Sequence, residues 1–94
     1  MEKLKLYDFW AEWCAPCKAM MPVVEAMAEK FKDRIELVKV NVDDQQTIAD
    51  MFGIRAMPTL VLMQGDQEKV RWVGAMSATK LELELQRALA IENA

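Results

Sequence analysis

Cys14 and Cys17 are the only cysteines in this chain, and they stand three residues apart as Cys14-Ala15-Pro16-Cys17. At the start of a helix, that spacing lets two sulfurs close a disulfide within one turn and open it again by thiol–disulfide exchange. The free N–H groups and the positive end of the helix dipole would stabilise a thiolate at Cys14. Cys17, one turn further in, should be the less exposed sulfur. Pro16 is tolerated between them because its missing N–H would have no helical partner. The same spacing also serves as half of a zinc site. Structural zinc needs two more ligands, and the chain has neither a further cysteine nor any histidine, so zinc could be held only across a dimer.

The absence of histidine removes Ser-His and Cys-His catalysis and all imidazole acid–base chemistry. Proton transfer is left to carboxylates, lysines, thiols or water. With 94 residues, 53% hydrophobic and 29% charged, the chain reads as a single soluble domain over 1–94. Its net charge is −3, and no Lys/Arg cluster offers a phosphate-binding surface, so nucleic acid is not an expected partner. No apolar run reaches the roughly 20 residues that span a bilayer. Met1-Glu2-Lys3-Leu4 lacks the apolar stretch of a signal peptide, which makes the reducing cytoplasm the expected location. There the cysteines should be thiols or catalytic, and not a permanent staple.

The elements that must position the cysteines follow from hydrophobic periodicity. Residues 4–11 read as a strand with Leu4, Leu6, Asp8 and Trp10 on one face and Lys5, Tyr7, Phe9 and Ala11 on the other. Both faces are largely apolar, as in a central strand covered on both sides. A helix beginning near Cys14 carries the stripe Met20, Val23, Val24, Met27, Ala28 and Phe31, with Pro22 expected to kink it without ending it. Residues 35–42 form a second strand rich in β-branched side chains. Asp43 or Asp44 is placed to cap a short helix carrying Ile48, Met51 and Phe52, with Gly53 as its stop. Residues 59–63 and 69–73 form a hairpin about the turn Gln64-Gly65-Asp66-Gln67. Ser77 caps a last helix with the inward stripe Ala78, Leu81, Leu85, Ala88 and Leu89. The order β-α-β-α-β-β-α predicts an α/β fold, a four-stranded mixed sheet with helices on both faces. The eight methionines read as fillers of core gaps, and Trp10 as core packing.

The segment Asp8-Phe9-Trp10-Ala11-Glu12-Trp13-Cys14-Ala15-Pro16-Cys17-Lys18 resembles the active-site stretch of thioredoxins, which usually reads WCGPCK. Pro22, Lys39-Val40-Asn41-Val42-Asp43, Gly53-Ile54-Arg55-Ala56-Met57-Pro58-Thr59-Leu60 and Val73-Gly74-Ala75 match the same family in the right order. The resemblance runs from about Leu4 to the C-terminus and implies a minimal thioredoxin fold and a protein-disulfide reductase. Cys14 would attack a substrate disulfide and Cys17 would resolve the mixed disulfide. Pro58 resembles the family's cis-proline, beside which the Met57 backbone would pair with an extended substrate. Asp8 resembles the buried carboxylate behind the resolving cysteine, and Lys39 its basic neighbour. The bland alternatives are a satisfied structural acid and a solvated strand lysine. Trp13 and Pro16 would form the apolar rim for docking, and Gly74 would join them in the substrate-binding set. The implied partners are disulfide-containing client proteins and a thioredoxin reductase as electron donor. No cofactor is implied beyond the redox-active disulfide itself.

Two departures from the family pattern stand out. Ala15 replaces the usual glycine between the cysteines, and the sequence starts directly at the strand leading to the active site, where the family normally carries another strand and helix first. The element order is then also that of glutaredoxins, but WCAPC, Asp8 and the absence of CPYC point to thioredoxin. In the family that preceding strand pairs alongside residues 35–42. A free edge there implies weak self-association, unless Lys39, Glu36 and strand twist protect it. Two other readings compete: a redox-silent clamp for a partner protein, and an oxidant or isomerase using the same cysteines. Retention of both cysteines with Asp8 and Pro58 argues against the first, and the missing signal peptide against the second.

Overall fold

The computed structural model of the chain describes residues 3–93, and of 91–93 the backbone alone. Strand β1 (Leu4–Trp10) leads into helix α1 (Ala15–Lys30), followed by β2 (Ile35–Asn41), α2 (Gln46–Met51), β3 (Thr59–Gln64), β4 (Gln67–Val73) and α3 (Ala78–Asn93). The sheet order is β2-β1-β3-β4. β1 runs parallel to β2 and antiparallel to β3, and β3 and β4 form the hairpin. The element order and the mixed sheet are those the periodicity predicts.

Alternation along β1 divides the core. Leu4 and Leu6 on one face join Met20, Val24 and Met27 of α1, Leu81 and Leu85 of α3, and Leu60 and Leu62 of β3 in the larger apolar cluster. Phe9 on the other face meets Val40 and Val61, with Ile48 and Phe52 packed against them from α2 and its end. Burying each of the larger aliphatic side chains contributes roughly 1.5–3 kcal/mol. The active-site strand is therefore clamped from both sides, which fixes the point where it hands over to α1. That helix continues through Pro22 without interruption.

Several local expectations are corrected. The N-cap of α2 is Gln45, with no side-chain capping bond, so neither Asp43 nor Asp44 caps it. Asn41 claims that stretch instead: its Oδ1 accepts from the N–H of Asp43 (3.0 Å) and of Asp44 (3.3 Å), turning the chain out of β2. Met51 is 78% exposed and fills no core gap. Ile48, Ala49 and Phe52 set the inward side of this short helix and turn Met51 to solvent. Gly53 does stop α2. It sits at φ +64°, its N–H donates to Asp50 O (3.0 Å), and the Ile54 N–H donates to Ala49 O (3.1 Å), the paired bonds of a Schellman ending. In the hairpin Gln64 pairs directly with Gln67, so the turn is only Gly65-Asp66 and β4 begins two residues earlier than expected. Ser77 caps α3 as read, its Oγ accepting from the Lys80 N–H at 3.1 Å.

Candidate active site

β1 ends at Trp10, and the chain turns through Ala11 to Trp13, where the Cys14 N–H donates to Ala11 O at 3.1 Å. Cys14 is the N-cap of α1 in extended conformation, and its Sγ accepts from the Cys17 N–H at 3.3 Å. A sulfur thus takes the place an oxygen usually holds at a helix start, receiving one of the helix's unpaired N–H groups. A Cys14 thiolate would keep that bond and gain the field of the helix. The two cysteines are joined as a disulfide with Cα atoms 5.3 Å apart. Cys14 is 6% exposed and Cys17 is 1%, the order read from the sequence. Ala11, Cys14 and Cys17 form a small buried cluster against Trp10, Val42 and Met57.

Beside Cys14 lies a cavity of about 310 Å³ walled by Trp13, Val42, Ala49, Ile54 and Met57, with Arg55 the one charged residue among the described residues that line it. Trp13, 69% exposed, is held by a hydrogen bond from its Nε1 to Asp43 Oδ2 at 2.9 Å. The Met57–Pro58 peptide bond is cis, and Pro58 is buried. The Gly74 N–H donates to Pro58 O at 2.8 Å, tying the end of β4 to this loop. The Thr59 hydroxyl donates to Ala56 O from the same stretch.

On the strand that leads to the disulfide, Asp8 is 2% exposed and its Oδ2 has no hydrogen-bond partner. Burial pushes its carboxyl from 3.8 up to about 6, against a downward pull from Lys39 and with a further upward push from Glu25. Lys39 stands directly opposite Asp8 in the β1–β2 register, but its ammonium donates to Glu25 Oε2 at 2.7 Å.

The sequence model of the thioredoxin family matches residues 1–87. The chain belongs to the thioredoxin family. It is similar to thioredoxin 1 of the cyanobacterium Nostoc, 42% identical over 84 residues that cover 89% of this chain and 78% of the relative. It is also similar to the thioredoxin of Haemophilus influenzae, 45% identical over 76 residues covering 81% and 71% of the two chains. Among solved structures, the germline-specific thioredoxin Deadhead of Drosophila melanogaster superposes with a TM-score of 0.83 at 30% identity, over 90% of this chain and 80% of that one. Like these thioredoxins, the chain is a protein dithiol–disulfide oxidoreductase, and Cys14 and Cys17 are its CxxC redox pair.

Of the residues the thioredoxin resemblance singles out, the structure brings Trp13, Cys14 and Met57 to one cavity. Pro58 and Gly74 are linked to each other. Pro16 is exposed in the first turn of α1 and does not line that cavity. Lys39 lines a separate cavity of about 290 Å³ with Trp10, Glu12, Lys18 and Met21. Two residues of this thioredoxin site escaped the sequence reading, Asp43 as the partner of Trp13 and Glu25 as the partner of Lys39. A signal for Glu25 did exist. It follows Val24, which lies about two turns beyond Cys17 on the buried side of α1, so Glu25 stands at the edge of that side.

Proposed function

We propose that Cys14 is the attacking thiol and Cys17 the resolving thiol in reduction of client disulfides. The Cys14 thiolate attacks one client sulfur, the client disulfide breaks, and a mixed disulfide forms as the first client thiolate leaves. Asp8 then accepts the proton of Cys17, whose thiolate attacks Cys14 Sγ. The mixed disulfide breaks, the second client thiolate departs, and two electrons have passed to the client, leaving Cys14–Cys17 oxidised. The observation that carries this reading is the Cys14 sulfur at the helix N-cap, accepting the Cys17 N–H beside an apolar cavity.

Trp13, Pro16, Met57, Pro58 and Gly74 form the client-binding surface, with the Met57 backbone pairing to an extended segment next to the client cysteine. Lys39 tunes Asp8. The chain works as one domain in the reducing cytoplasm and needs no cofactor beyond its own disulfide. Its partners are disulfide-containing proteins and a thioredoxin reductase, with weak self-association through the 35–42 edge. Among the described residues no helix is long and apolar enough to cross a membrane. Insulin reduction with NADPH and a thioredoxin reductase tests the reading. Catalytic precipitation of the insulin B chain is expected, and a rate no higher than that of the reductase alone would overturn it.

A further inference from the structure

Asp8 is a buried acid with a cation opposite it and no bond to that cation. The Lys39 ammonium donates to Glu25 across 2.7 Å, bridging β2 to α1, while Asp8 Oδ2 is left without a partner. Among the described residues, the other groups around Asp8 offer it no counterion. β3 presents Leu60 in register, and the titratable group buried in α1 is Cys17, held in the disulfide. Lys18, which shares a cavity with Lys39, lies 3.6 Å from Glu12. A carboxylate that gains an ammonium partner becomes a weaker base, because the charged form is stabilised. Left without one, it remains a strong enough base to take a proton from a thiol.

We propose that Glu25 is a positioning residue for the second thiol–disulfide step, holding the ammonium of Lys39 away from Asp8 so that Asp8 stays buried without a counterion. This rests on the reading of Asp8 as the proton acceptor for Cys17. The Lys39 and Glu25 side chains are 46% and 49% exposed, so solvent screens the pair and the effect is one of tuning. The opposed influences on the Asp8 carboxyl, downward from Lys39 and upward from Glu25, agree with the geometry.

The test follows the Asp8 side-chain carboxyl by carbon NMR across pH in the oxidised protein, where no thiol titrates and the coupling of Asp8 to Cys17 is absent. Glu25→Gln should move the Asp8 midpoint down by roughly half a pH unit, and Lys39→Gln should move it up. The double variant should follow Lys39→Gln, since Glu25 acts chiefly through the ammonium. A double variant that falls below Lys39→Gln by the full Glu25→Gln shift would mean that Glu25 acts by its own field alone, and would overturn the proposal. A pair that served only to join α1 to β2 would cost stability in both variants without moving Asp8 in opposite directions. An unmoved or raised midpoint in Glu25→Gln overturns the proposal. The second readout is the pH dependence of mixed-disulfide resolution in single turnover, with Asp8→Asn as the reference. If Asp8→Asn removes that dependence and Glu25→Gln leaves it where it was, the assignment of Glu25 is wrong. If Asp8→Asn leaves it intact, the reading of Asp8 falls and takes this one with it.

Discussion

The indole of Trp13 is tied to Asp43 across thirty residues of sequence, Nε1 donating to Oδ2 at 2.9 Å. The bond fixes the most exposed aromatic of the site against the end of β2, so one wall of the cavity beside Cys14 has a set orientation. Asp43→Ala should free the ring. An exposed hydrogen bond is worth about 1 kcal/mol or less, so KM for a protein client should rise by about fivefold at most. Turnover of a small aromatic disulfide, which needs no docking wall, should be unchanged. Comparing steady-state constants for the two substrates checks this.

The two cysteines should fail in different ways. Cys14→Ser should abolish reduction and leave no covalent adduct, because the less buried of the two sulfurs, at the helix N-cap, is gone. Cys17→Ser should also lose turnover but accumulate a mixed disulfide with the client, visible by mass spectrometry. Mild alkylation that labels Cys17 before Cys14 in the reduced protein would reverse the assignment.

Asp8 makes stability depend on pH in a defined direction. Its folded-state carboxyl lies near 6 against 3.8 for the free group, so the folded chain holds this proton more tightly than the unfolded one. Below 3.8 both states are protonated and no penalty exists. Stability then falls as pH climbs, and the loss is complete above 6. The full shift corresponds to about 3 kcal/mol. Asp8→Ala should therefore be the more stable protein at neutral pH, less the cost of the small cavity. Denaturant titrations at several pH values should show its advantage shrinking as pH falls through 6 and vanishing below 3.8.

β2 is an outer strand of the sheet, and it carries half-buried Leu37 and Val38 on opposite faces. Such an edge can template another strand, so sedimentation should show an average mass rising with concentration above the 10.8 kDa of one chain. Val38→Lys should suppress the rise. A mass that stays at one chain throughout would mean that Glu36, Lys39 and the strand twist already protect the edge.

What could be read in the sequence was what local physics writes there. Alternation along β1 separated the Leu6 face from the Phe9 face, and the α1 stripe placed Met20, Val24 and Met27 in the core. Ser77 and Gly53 marked helix ends because a cap and a positive φ each have few chemical solutions. Neither Asp43 nor Asp44 caps α2, because both lie in the turn that Asn41 closes and Asp43 gives its carboxylate to Trp13, and only the path out of β2 decides that. Trp13–Asp43, Lys39–Glu25 and the bond from buried Trp72 to Glu84 were out of reach for a different reason. Each joins polar atoms from separate elements, and a surface acid has many partners of equal merit until the fold sets the distances.

Both sulfurs belong to the first turn of a single helix, and the ring they close contains only the residues from Cys14 to Cys17. Opening so small a loop releases little chain entropy and leaves the long-range strand pairings untouched. Charging and discharging this carrier is therefore a local event. On the function proposed above, electron donor and client would both have to reach this one turn of helix, and the two would take turns on it.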